Sequence, residues 1–288
     1  MSDSAAHAVQ MTAAGERQPS GVALSVHNIL AVMLVAGCFN GLMAEMGESW
    51  TLTGLDSLVN LFGIGYFYPI IIGVAGWNIW QMQSEALQRH DIALITLGGL
   101  MFAAVVLVPS SLGSWVAVGV YALVLALLLR GTARHGAMMF VALAVCALWI
   151  DFGFKLFVGP LTVLDTIMTE HVLHLFGVDV TRLENVLTRA NGFSIVVLAD
   201  CSSWKDMPLV ILAYATLVKF TATASPYRKF WQGLLIVFTL TLLINLARLA
   251  LISLSLDLHT LIHDARGRNI FDMARTLVVF AGVWWATR

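Results

Sequence analysis

Cysteine, arginine and histidine side chains in the C-terminal half of this chain have the types and settings that bond-making chemistry needs. Cys201 lies in the run Asp200-Cys201-Ser202-Ser203-Trp204-Lys205, beside a cation that favours the nucleophilic thiolate. Taken alone, a single cysteine is more often a packing residue than a catalyst. Arg248 interrupts a stretch that carries no charge from Phe230 through Ala247 and continues apolar to Leu256. An arginine there either snorkels to the headgroups or serves a site as an anion or oxyanion binder. His259 and His263 stand four residues apart, flanked by Asp257 and Asp264 and followed by Arg266, Gly267 and Arg268. That spacing admits a metal pair, but the zinc-protease pattern needs glutamate directly after the first histidine, and Thr260 is there. His171 and His174 lack Cys or acidic partners at metal-ligand spacing and read as surface histidines. A thiol, a histidine and an arginine meeting at one watery face fit acyl transfer better. The Gly-x-Ser-Gly and Gly-x-Gly-Asp signatures of other intramembrane proteases are absent.

The composition says what kind of element must hold these residues. Of 288 residues, 59% are hydrophobic and 11% charged, with a mean hydropathy of +0.85. Soluble domains carry about 25% charged residues, so a soluble enzyme is excluded, as are disordered and collagen-like chains. The expected fold is all-α, a polytopic integral membrane bundle of about eight transmembrane helices. A formal net charge of -1 gives no reason to expect nucleic acid. The three cysteines include no CxxC pair, which argues against a disulfide framework or a zinc cage.

Charge-free runs locate the spans. They are expected around Ile29 to Met43, between Asp56 and Glu85, and as a hairpin over Ile92 to Leu129 that breaks at Pro109-Ser110-Ser111-Leu112-Gly113. A fifth runs from Gly136 to about Phe154, and the last three cover Trp204 to Phe220, Phe230 to Leu256 and Ile270 to Thr287. Between the fifth and sixth, charges recur every few residues from Lys155 to Asp200. Within that segment Leu161, Leu164, Ile167, Met168, Leu173 and Leu175 mark one helical face suited to the membrane interface, and Phe193 to Leu198 is short and β-branched. The domain expectation is a disordered cytoplasmic tail over 1–23, an N-terminal bundle of five spans over 24–154 and a catalytic membrane region over 155–288. With the N-terminus inside, Arg89, Arg130, Arg134, Arg228, Lys229 and Arg288 fall on the cytoplasmic side, so Lys155 to Asp200 is expected outside. Cys38 and Cys146 then sit at mid-bilayer depth as apolar packers, while Cys201 is at the outer mouth of the sixth span.

With these boxes in order, the sequence resembles the exosortase and archaeosortase family of membrane cysteine transpeptidase-like sorting enzymes. Pro160-Leu161 and the stretch Leu175 to Asn185 are similar to the family's Gly-Ile-Pro-Val…Arg-Glu-Gly-Asn segment, and Ala199 to Lys205 to its Cys-Ser-Gly-Leu-Arg box. Asn245-Leu246-Ala247-Arg248-Leu249 matches Asn-x-x-Arg-[Ile/Leu], and His263 to Phe271 matches His-x3-Gly-x3-Phe. The resemblance implies Cys201 as nucleophile, Arg248 as oxyanion or carbonyl binder and His263 as proton-transfer partner. It implies substrate contacts at Trp204, Lys205 and Asn245, and no cofactor or metal. Ser203, Trp204 and Lys205 replace the family's glycine, leucine and arginine, which suggests a divergent recognition motif. Implied partners are exported proteins ending in a short motif, a transmembrane helix and a basic tail, as in PEP-CTERM proteins, with a lipid or glycan acceptor as a further option. The implied place is the cytoplasmic (inner) membrane with the active site facing outward. The alternative is a transporter or non-catalytic scaffold that binds an anion through Arg248.

Overall fold

The computed structural model describes residues 25–49, 67–81, 89–107, 110–221 and 226–288. The expected tail over 1–23 lies outside the described residues, as do part of the loop after the first span and the first part of the second.

Five helices form the N-terminal group: α1 (Val26–Ser49), α2 (Phe67–Trp80), α3 (Arg89–Leu107), α4 (Ser111–Leu128) and α5 (Gly131–Leu148). Runs without charge become helices because hydrocarbon offers no partner to an exposed backbone N–H or C=O, so each segment must satisfy its own. The expected hairpin break is real. Ser110 caps α4, its Oγ accepting from the Gly113 N–H at 3.0 Å. α4 packs on α5, α2 on α5, and α1 on both α4 and α2. Trp115, Phe67, Phe140, Leu30 and Ile71 fill the space between them, fully buried. At Gly136 a side chain would run into the Ala75 carbonyl, so the glycine sets the close approach of α5 to α2.

Instead of ending near Phe154, α5 continues through a π-helical segment, Trp149–Gly153, into α6 (Phe154–Leu175). Asp151 in that segment accepts from Ser111 Oγ at 2.9 Å, tying it to the start of α4. Trp149 Nε1 donates to the Trp204 carbonyl at 3.1 Å, while Asp165 Oδ2 accepts from the Ser203 N–H at 3.2 Å. A straight helix would separate Trp149 from Asp165 by about 24 Å, yet both reach adjacent residues. The helix therefore bends, and the π segment and Pro160 are the places where it can. On α6 the apolar positions Leu164 and Leu175 are exposed, whereas Thr162, Asp165, Thr166 and Thr169 are buried, together with Leu173. The helix turns its polar stripe toward protein partners and its apolar side away, as suits a helix at a lipid boundary.

The all-α expectation needs one correction. Between α6 and the next helix lies an antiparallel sheet of three strands, β1 (Val180–Leu183), β2 (Val186–Arg189) and β3 (Ser194–Val196), in the order β1-β2-β3. Strands of three or four residues are too short for period-two alternation to stand out; the short β-branched run Phe193 to Leu198 contains β3, while Arg182 and Arg189 interrupt β1 and β2. Val180, Leu187, Ile195 and Val197 point into a small apolar cluster with Leu173, Leu249, Ile252 and Ile262. The hairpin turn puts Glu184 at φ 53°, a left-handed position where glycine is the usual occupant.

The C-terminal group is α7 (Ser203–Thr221), α8 (Tyr227–Ile252), the short α9 (Leu256–His263) and α10 (Ala265–Thr287). α8 packs on α7 and α10, and α7 also meets α2 and α5, joining the two groups. Tyr214 OH donates to the Phe230 carbonyl at 2.8 Å where Gly233 and Gly282 bring α8 and α10 together. Among the described residues, five helical segments are long and apolar enough to cross a membrane: Val26–Ala44, Ser111–Leu128, Gly131–Leu175, Tyr227–Ile252 and Asn269–Thr287.

Candidate active site

β3 leads directly to the nucleophile candidate. The strand ends at Val196, a single 3-10 turn spans Ala199–Cys201, and α7 begins at Ser203. Cys201 closes that turn, its N–H donating to the Leu198 carbonyl at 3.0 Å. The side chain is 4% exposed and lies in the apolar cluster beneath the sheet. Its Sγ is 3.9 Å from His263 Nε2. That separation suits a thiol and imidazole which exchange a proton after a small closure, since such bonds are often long without substrate.

Two buried side chains from different helices hold the cysteine turn. From α6, Asp165 is fully buried, and its Oδ2 accepts from Ser202 Oγ at 2.6 Å and from the Ser203 N–H at 3.2 Å. A carboxylate at the first N–H of α7 is a cap supplied by another helix, where the helix end favours negative charge. From α8, Asn245 is 3% exposed and uses both amide hydrogens, donating to the Cys201 carbonyl at 2.9 Å and to Ser203 Oγ at 2.9 Å. The serine that replaces the family's glycine thus supplies a hydroxyl to this network. Sequence reasoning missed Asp165. Its signal was a lone acid on a stripe with Thr162, Thr166 and Thr169 at helical spacing.

His263 ends α9, and Asp264 breaks the helix with an extended backbone before α10 starts. This break keeps His263 and Gly267, four residues apart in sequence, from sharing one helical turn. A side chain at Gly267 would strike the Leu261 and Ile262 carbonyls, so the glycine allows α10 to fold back tightly on α9. The rings of His259 and His263 lie 4.5 Å apart at 33°.

The other expected site residues are placed as follows. Arg248 is 5% exposed on α8, three residues beyond Asn245 and so on the same side of the helix. Lys205 bonds Asp200 Oδ1 at 2.6 Å on the exposed rim. The Trp204 ring packs against Phe238 of α8, centroids 6.3 Å apart. Cys38 and Cys146 are buried in α1 and α5. One turn into α7, Asp206 pairs with Arg275 of α10 at 3.6 Å, and Arg275 also pairs with Asp272. The charges at Asp272 and Arg275 inside the last apolar span were the sequence signal for this cluster. Among the described residues, no group of three His, Cys, Asp or Glu side chains converges in a way that could hold a metal.

Comparison with curated proteins and with solved structures gives no match. The profile of the transmembrane exosortases matches residues 53–281, a span that takes in α2 to α9 and most of α10, the sheet, the cysteine turn, Asn245, Arg248 and His263. By that match the chain belongs to the transmembrane exosortase family of multi-pass, membrane-embedded protein-sorting enzymes.

Proposed function

We propose that this chain is a cysteine protease and transpeptidase that cleaves C-terminal sorting segments of exported proteins at the outer face of the cytoplasmic membrane. The 3.9 Å approach of Cys201 Sγ to His263 Nε2 carries the reading. His263 takes the thiol proton as the sulfur attacks the scissile carbonyl, and Arg248 stabilises the oxyanion that forms. The C–N bond then breaks, the leaving amine takes the proton from His263, and the substrate's N-terminal part remains on Cys201 as a thioester. Water or an amine on a lipid or glycan resolves it. Asn245 belongs to the support of the cysteine turn, since both of its amide hydrogens are committed there. Trp204 and Lys205 border the mouth where the substrate's helix would leave the membrane. The basic short loops support an outward-facing site.

The test uses membranes in which the enzyme is expressed with a co-encoded exported protein ending in a short motif, an apolar helix and a basic tail. Cys201→Ala leaves that protein uncleaved, while Cys38→Ala and Cys146→Ala process it near the wild-type rate. Cleavage by Cys201→Ala at the wild-type rate would end the thiol mechanism.

A further inference from the structure

The two edges of the small sheet are treated differently by the fold. β1 lies against α6, where His174 Nε2 bonds the outward Val180 carbonyl at 3.1 Å and Arg182 pairs with Glu170 at 3.0 Å. That edge is closed. The β3 edge is open. The Val197 N–H bonds the Asn185 carbonyl and the Arg189 N–H bonds the Phe193 carbonyl, each at 2.8 Å, so the Phe193 carbonyl, Ile195 and the Val197 N–H face β2 and the turn before it. By strand alternation, the N–H and C=O of Ser194 and Val196 point away from β2. Among the described residues nothing bonds to them. No lysine, proline or bulge blunts this edge, and Val196 and Leu198 are 52% and 60% exposed beside it.

The open edge runs into the site. Four residues separate Val196 from Cys201, the last two of them in the 3-10 turn that Cys201 ends. We propose that the extended segment preceding a substrate's transmembrane helix binds by adding a fourth strand to β3, and that this pairing delivers the scissile bond to Cys201. The proposal rests on the cysteine-protease reading and names how that site recognises its substrate. The added strand runs parallel to β3. Like β3 followed by α7, such a substrate passes from an extended segment into a helix that enters the membrane, and only the parallel direction brings its helix-proximal residues beside Cys201. Main-chain bonds supply affinity with little demand on side chains, and the exposed Val196 and Leu198 give a short apolar motif something to cover. A strand of three residues suits a motif of similar length.

The experiment uses wild-type enzyme in phosphatidylethanolamine and phosphatidylglycerol vesicles. Its substrate is a synthetic peptide carrying the C-terminal motif, apolar helix and basic tail of the co-encoded exported protein. Single backbone N-methyl groups are placed in turn along the segment before the helix. Strand addition gives a period-two pattern, with kcat/KM falling about tenfold at alternate positions and changing little at those between, as expected for loss of one main-chain bond. Val196→Pro removes an outward N–H without touching the β2 ladder, and it lowers kcat/KM by about tenfold. Because the N-methyl scan uses unaltered enzyme, it stands even where Val196→Pro fails to insert. Absence of alternation, or wild-type turnover by membrane-inserted Val196→Pro, overturns strand addition. Cys201→Ala separates the two ideas. If it cleaves, the thiol mechanism has failed, and if it is inert while the scan shows no alternation, only the strand pairing has failed.

Discussion

Replacing Asp165 isolates the clamp on the cysteine turn from any chemistry at Cys201. Both of its hydrogen bonds land on Oδ2, from Ser202 Oγ and the Ser203 N–H, and among the described residues Oδ1 has no hydrogen-bond partner in a site that is fully buried. Asp165→Ala leaves both donors facing a small void. An unsatisfied buried donor costs about 1–3 kcal/mol, and Ser202 can turn its hydroxyl toward another acceptor, so the loss should be about 3 kcal/mol. At 1.36 kcal/mol per tenfold, that is roughly a hundredfold drop in the ratio of ordered to disordered turn, and cleavage should fall by up to that factor. Asp165→Asn behaves differently, because an amide oxygen in the place of Oδ2 accepts both bonds. It should keep cleavage within about threefold of wild type and recover most of the thermal midpoint lost in Asp165→Ala. Initial cleavage rates in membranes and unfolding midpoints in detergent measure the two. The reasoning fails if Asn is as slow as Ala, which would mean that the charge itself is needed. It also fails if Ala cleaves at the wild-type rate.

Further outcomes follow from the same geometry. Arg248→Lys keeps a charge able to reach the headgroups but lacks the planar fork, so the protein should fold normally and turn over on the order of a hundredfold more slowly. Wild-type rates would favour simple anchoring. His263→Ala should stop thioester formation on Cys201, whereas His259→Ala, which removes a ring neighbour and not the thiol's partner, should slow it by less than about tenfold. Equal loss in both, together with wild-type activity that chelation removes and added zinc restores, would indicate a metal centre. Glu184→Gly relieves the left-handed turn of the β1–β2 hairpin and should raise stability by about 0.5–1 kcal/mol, read as a higher unfolding midpoint with cleavage unchanged.

The membrane helices were readable because absence of charge over about 20 residues is a strong, local signal. The same signal put Arg248 near the C-terminal end of its span, and α8 ends four residues later at Ile252. What escaped was decided by partners distant in sequence. Asp165 meets Ser202 and Ser203 across 37 and 38 positions, and nothing in the local pattern of α6 says that its polar stripe is the protein-facing one. In water the apolar stripe of such a helix would be the buried one, and the lipid boundary reverses that inference. Asn245 stood in a recognised box, but its two donors were assigned to substrate because the groups they reach, the Cys201 carbonyl and Ser203 Oγ, lie 44 and 42 positions away in the chain. The sheet escaped because its strands draw their order from β2 pairing on both sides and from the apolar cluster below, not from their own length.

The tight corner at Gly267 bears on how this family's residues would be ranked by mutational scanning. A methyl group there would meet two carbonyls of the preceding turn, and the readiest relief is for α9 to tilt, carrying His263 with it. A library scored by product release alone would therefore mark Gly267 as intolerant as Cys201, although it has no side chain with which to do chemistry. Scoring the same library for covalent labelling of the thiol by a small electrophile would divide the two. Gly267 variants would retain a thiol to label and Cys201 variants would not, so the pair of readouts sorts residues that make the reaction from residues that set its alignment.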